Sequence, residues 1–233
     1  MFHYNKNKYD FSSVEEALLR YYPIGISKNY YDHKGYKELK ELFADNVQNE
    51  DVYEKKWVRF EREVAAETDH VVTGTTYGQD NCFSARLHLE KIVASDMVRY
   101  KEIWFFVSIA GTFYTVVGID RNEITRPERV FYSNNFLVIS PEPGYEKPFA
   151  SLCELIENRF MDHQFIPFFI YSQEMEGLHD DFKLDQSIQT VFNALFNRHI
   201  DPNIQTVGNK YFGDSAWIKN DYDPSAGGWT IYP

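Results

Sequence analysis

The stretch Thr75-Thr76-Tyr77-Gly78-Gln79-Asp80-Asn81-Cys82 holds the residue types of a thiol hydrolase. A thiolate attacks a carbonyl carbon once a histidine has taken its proton, and an amide donor such as Gln79 can steady the oxyanion that forms. His88 and His163 are the candidate bases, with His70 and His179 further options. Cys82, however, opens an alternating pattern that reads as a strand, whereas activated cysteines favour helix N-termini. A small, half-buried residue at a strand start accounts for it more simply. A cysteine-dependent hydrolase or amidase using Cys82, Gln79, His88 and His163 is therefore the alternative reading. Cys153, beside Leu152 and Leu155 at helical spacing, reads as core.

His179, Asp180 and Asp181, with Glu174 and Glu176 just upstream, are residues that hard cations accept. The chain has no HExxH, no DxDxDG and no paired histidine spacing, so neither a metal nor a cofactor is expected. Gly74, Gly78, Gly111 and Gly118 form neither GxGxxG nor a phosphate-binding loop, and GxSxG is absent. Glu61 and Glu63 resemble a glycosidase pair only in being two carboxylates; an exposed strand face beside Arg59 explains them more simply.

Composition narrows the classes. The 233 residues carry 24 Lys and Arg against 35 Asp and Glu, a net charge of −11. An apolar share of 43% with 17% aromatics excludes an intrinsically disordered chain, and two cysteines exclude a disulfide scaffold. The negative balance argues against direct binding to nucleic acid or to an anionic membrane surface, and favours a basic protein partner. No apolar run reaches the roughly 20 residues of a membrane span. The polar start, Met1-Phe2-His3-Tyr4-Asn5-Lys6, is not a secretory signal, so a cytoplasmic location is expected.

Aromatic and acidic residues occur together in predicted turns and in the tail: Tyr21-Tyr22, Tyr30-Tyr31-Asp32, Asp221-Tyr222-Asp223 and Gly227-Gly228-Trp229. Aromatics are frequent interface anchors, and carboxylates beside them match a cationic partner. The expected partner-binding residues are Glu174, Glu176, Asp180, Asp181, Asp221, Tyr222, Asp223 and Trp229. In general character, a small acidic single domain, the chain resembles the stand-alone immunity proteins of bacterial toxin systems. The likeness is one of type and assigns no residue. It implies an inhibitor that neutralises a basic toxin by occluding its active site.

The elements that would position these groups follow from periodicity. Ser12-Ser13-Val14-Glu15-Glu16 predicts a capped helix running to Tyr22, stopped by Pro23. A second helix is predicted from Tyr36 to about Val47, with Leu39, Leu42 and Phe43 on one stripe. Val58, Phe60, Val64 and Ala66 alternate with charged residues and predict a strand, with Arg62 as misfit. Strands are also predicted at Val71–Thr73, Phe83–Leu89 and Phe136–Ile139. A hairpin is predicted from Ile103 to Ile119, turning at Ala110-Gly111. A helix is expected over Phe149–Phe160, a strand at Phe165–Tyr171 or from Phe168, and a helix over Leu184–Phe196. Helices flanking a cluster of strands give α+β, with a mainly antiparallel central sheet in one domain: a helical N-terminal segment, 1–50, packed on an α+β unit, 51–233.

Overall fold

Apolar residues at helical spacing organise the first third of the chain. The computed structural model describes residues 3–4, 6, 9–26, 29–78, 81–126, 128–178, 189–196 and 204–213. Helix α1 (Ser12–Tyr21) buries Val14, Leu18 and Tyr21. Asp10 supports its start, accepting hydrogen bonds from the Ser12 N–H at 3.1 Å and the Ser12 hydroxyl at 2.6 Å. Helix α2 (Lys34–Phe43) buries Tyr36, Leu39 and Phe43 and continues into a π-helical turn, Ala44–Gln48. It crosses α1 at Gly35, where a Cβ would stand 1.7 Å from the Arg20 carbonyl oxygen. Only glycine permits that approach.

The strand expected around Val58–Ala66 is a helix. Asn49 caps α3 (Glu50–Tyr53), its side chain accepting from the Val52 N–H. A π-helical turn (Glu54–Val58) then leads into α4 (Arg59–Thr68). The residues that decide this are Trp57, Phe60 and Val64, all buried at helical spacing. The alternation of Val58, Phe60, Val64 and Ala66 coincides with strand spacing over part of that stripe. Arg62, the misfit in the strand pattern, is exposed on the helix and paired with Glu54.

Strands β1 (Val71–Gly74), β2 (Cys82–Ala94), β3 (Met97–Ser108), β4 (Phe113–Arg126) and β5 (Arg129–Val138) form an antiparallel meander in chain order. The expected hairpin is the pair β3–β4. Two short strands join in parallel: β6 (Gln164–Phe165) beside β4, and β7 (Gln205–Val207) beside β5. Helices lie on both faces of this sheet. The architecture is α+β with a mainly antiparallel central sheet, as the sequence predicts.

Helix α5 (Glu146–Arg159) falls where expected. The strand expected over Phe165–Tyr171 is limited to its first residue. After Pro167 the chain turns into a short helix, α6 (Phe168–Tyr171), because proline supplies no N–H to a ladder and suits a helix start. Of the helix expected over Leu184–Phe196, residues 189–196 are described, and the helix there, α7 (Val191–Leu195), begins only after extended Thr190, which bridges to Glu174 and closes the N-terminus in a capping box with Asn193. The tail 228–233, whose Gly-Trp-Thr-Ile-Tyr-Pro run also reads as a last edge strand, lies outside the described residues.

The alternating pleat splits the core in two. On one face Phe106, Val117, Ile119 and Leu137 pack against α1, α2, α6 and α7. On the other, Phe83, Leu87, Ile103, Phe105 and Val116 meet Trp57, Phe60 and Val64, with Phe149, Leu152 and Ile156 of α5. The Trp57 and Phe83 rings stack, 5.3 Å between centroids. Among the described residues no helix is long and apolar enough to cross a membrane.

Candidate functional site

Past the edge of the first core, on the same sheet face, a charged residue occupies an inward position. Glu102 of β3 is fully buried. Its direct cross-strand partner on β2 is His88, and Trp104 two residues along shares its face. A carboxylate this deep is tolerable only if it is compensated. Glu102 Oε2 accepts from Trp104 Nε1 at 3.1 Å and from Arg121 Nε at 3.3 Å. Its Oε1 lies 3.1 Å from His88 Nδ1 and 3.9 Å from Arg86 Nη1, yet receives no aligned hydrogen bond. Arg121 also pairs with Glu123, and its guanidinium covers the Tyr100 ring at 4.3 Å.

Local irregularities aim these side chains. β2 shifts register against β3 between His88 and Glu90, and β4 shifts against β5 between Asp120 and Asn122, at Arg121. Such bulges re-aim side chains beside functional sites. On the far side of His88, its Nε2 lies 2.9 Å from the Thr73 hydroxyl of β1. Burial holds the His88 imidazole below its ordinary pKa; Glu102 works against this, while Arg86 and Arg121 add to it. The ring is therefore neutral at neutral pH.

The expected thiol site is not brought together. Cys82 is buried at the start of β2, facing the first core. His88 is six residues further along the same strand, about 20 Å away at the strand rise. Cys82 pairs with Ser108, whereas His163 precedes β6, which pairs with Phe113 on the far side of β4. Three strand spacings, about 14 Å, separate them. His163 instead packs on the Phe160 ring, and burial lowers its pKa. Cys153, on α5, has its thiol pushed up to about 12 by burial and by Glu157. Gln79 lies outside the described residues.

The other named carboxylates divide similarly. Glu174 and Glu176 are exposed on either side of buried Met175. Asp180, Asp181, Asp221, Tyr222, Asp223 and Trp229 lie outside the described residues. Tyr21 and Tyr22 are buried and belong to the core. Glu61 and Glu63 do not share a strand face: on α4 Glu61 turns towards β1, where a Cβ on Gly74 would stand 2.7 Å from its Oε1, while Glu63 faces solvent. Among the described residues no group of three or more His, Cys, Asp or Glu could hold a metal ion.

A second charged region runs from the end of α2 to α4, which packs on the opposite face of the sheet. From Glu41 to Asp69 the chain carries nine carboxylates against four cations. Glu41, Asp45, Glu50, Asp51, Glu63, Glu67 and Asp69 are exposed. Among the described residues the one ion pair within this span joins Arg62 to Glu54. From Arg86 to Arg129, by contrast, seven cations meet six carboxylates. There Arg99 pairs with Asp120, Arg126 with Asp96, and Arg121 with Glu102 and Glu123.

The comparisons with known proteins add no relative: no family model matches the chain, and neither a curated protein nor a solved structure resembles it significantly.

Proposed function

We propose that this protein is an acidic binding protein that neutralises a basic partner, in the manner of an immunity protein that occludes the active site of a bacterial toxin. The observation that carries the reading is the uneven charge: the helical span from Glu41 to Asp69 holds nine carboxylates against four cations, and seven of those carboxylates are exposed and outside any ion pair among the described residues. Such a field draws a cationic surface in and orients it, and close pairing with Lys and Arg then excludes substrate. Exposed Glu174 and Glu176 add to the negative exterior, and Tyr31 and Tyr77 offer exposed rings as anchors. Asp180, Asp181, Asp221, Tyr222, Asp223 and Trp229 complete the proposed contact set.

The test is capture of a stoichiometric partner from the source cells by the wild-type protein and by two folded charge-reversal variants. One carries E50K, D51K, E63K and E67K; the other carries D180K and D181K. A basic protein retained by the wild type at low salt, weakened at least about tenfold in one of the variants, supports the reading. Retention indifferent to both sets of reversals, or no stoichiometric partner at all, removes it.

A further inference from the structure

We propose that Thr73, His88 and Glu102 form a hydroxyl–imidazole–carboxylate relay that opens small carboxylic esters, with Thr73 as nucleophile. The connectivity carries the inference. Thr73 Oγ1 lies 2.9 Å from His88 Nε2, and His88 Nδ1 lies 3.1 Å from Glu102 Oε1. One imidazole nitrogen thus faces a hydroxyl and the other a carboxylate, the order in which a base activates an alcohol. The three residues come from β1, β2 and β3, and the register shift after His88 sits at the middle member.

Glu102 is built into its role rather than resting on the surface. It is fully buried, and Trp104 and Arg121 both hold Oε2, which leaves Oε1 towards the ring. Oε1 has unused acceptor capacity, so a small rotation of the imidazole on substrate binding would align the Nδ1–H with it. A carboxylate beside Nδ1 favours the tautomer with its proton there, and Nε2 is then the acceptor for the Thr73 hydroxyl. The low basicity that burial imposes on His88 keeps the ring neutral and ready to take that proton. Arg86 is the direct cross-strand partner of Thr73, and its Nε has no hydrogen-bond partner. Its guanidinium is the available donor for an oxyanion. Access is from the sheet edge: β1 is the terminal strand, the His88 side chain is 30% exposed, and Val71 opposite it is 67% exposed, an apolar bank for an acyl chain.

In the step proposed, the Thr73 Oγ1–carbon bond forms as the hydroxyl proton moves to His88 Nε2 and the carbonyl π pair moves to its oxygen. Collapse of that oxyanion breaks the ester C–O bond, and the leaving alcohol takes the proton from Nε2. Water then repeats the sequence on the acyl-threonine, releasing the acid and restoring the Thr73 hydroxyl. Thr73 and His88 are the catalytic residues, and Glu102 is a positioning residue. This inference is independent of the binding role proposed above.

The probe is p-nitrophenyl acetate, followed by turnover and by mass mapping of the acid-quenched protein. The expected result is an acetyl group on Thr73, with turnover at least about 100-fold lower in T73A and H88Q, retained in T73S and unchanged in H163Q. E102Q, if folded, moves the acid limb of the pH–rate profile to lower pH, because Glu102 supports protonation of His88. A merely structural Glu102 would leave that limb in place. Absence of both turnover and a Thr73 adduct in the wild-type protein overturns the proposal. So does turnover in folded T73A equal to wild type, and T73A stands as the decisive variant if H88Q does not fold.

Discussion

Around Glu102, charge is turned inward and answered; along α3 and α4, charge is turned outward and left open. The two regions lie on opposite faces of one sheet and draw on the same residue types. In the first, a fully buried carboxylate is shared between two arginines and a histidine. In the second, from Glu50 to Thr68, six carboxylates stand against four cations. The difference lies in what each region is coupled to. Buried charges are tied to the stability of the fold, whereas exposed ones act mainly on what approaches from outside.

The contrast breaks first at Glu102. E102A leaves the Arg121 guanidinium, 17% exposed, without its deepest counter-charge. A loss of about 3–5 kcal/mol is expected, read as a lower urea midpoint at unchanged slope. A loss below about 1 kcal/mol would show that the cluster is solvated like any surface pair.

Glu61 sits between the two regimes, on the acidic helix yet turned inward, and it sharpens the comparison. Burial raises its carboxyl to about 7, with the neighbouring Trp57 indole pulling the other way. A glutamate in the unfolded chain titrates near 4.3, so the folded state binds the extra proton between those values. Its contribution to stability is complete below the unfolded value and is lost as pH rises through about 7. Glu61→Gln removes that dependence. The variant is expected to match the wild type near pH 4 and to exceed it by about 1–2 kcal/mol at pH 8, after allowance for partial exposure. Parallel melting curves at the two pH values check this, and an equal difference at both would count against the assignment.

The smallest effect belongs to the outward layer. The double reversal E50K and D51K should change stability by no more than about 0.5 kcal/mol, because both side chains are exposed and unpaired among the described residues. Thermal unfolding of this variant against wild type tests it. A large loss would mean that these carboxylates serve the fold and are not reserved for a partner.

Much of the scaffold was legible because its signals are local. Leu39 and Phe43 at helical spacing, the apolar runs either side of Ala110-Gly111, and Phe149, Leu152 and Ile156 each declare their element within a few residues. Phe60 and Val64 read as strand residues because Val58 and Ala66 overlay a period-two pattern on a helical stripe, and Trp57, which completes that stripe, falls outside the alternation. Phe168–Tyr171 was misread because an apolar run after proline fits a strand as readily as one turn of helix. The Glu102 cluster was hidden for a different reason: Thr73, His88 and Glu102 are joined only by strand register, which follows from turns and bulges rather than from composition. One clue was present. Glu102 stands immediately before the apolar run Ile103-Trp104-Phe105-Phe106, on the face that Trp104 and Phe106 bury, where a solvated strand end would place no charge.

The crossing of α1 and α2 at Gly35 has a further consequence. With the Arg20 carbonyl oxygen occupying the place of a side chain, no rotamer choice relieves a substitution; a whole helix must slide. The N-terminal layer is therefore keyed at this crossing, where a side chain at residue 35 would shift two helices as whole bodies rather than one rotamer.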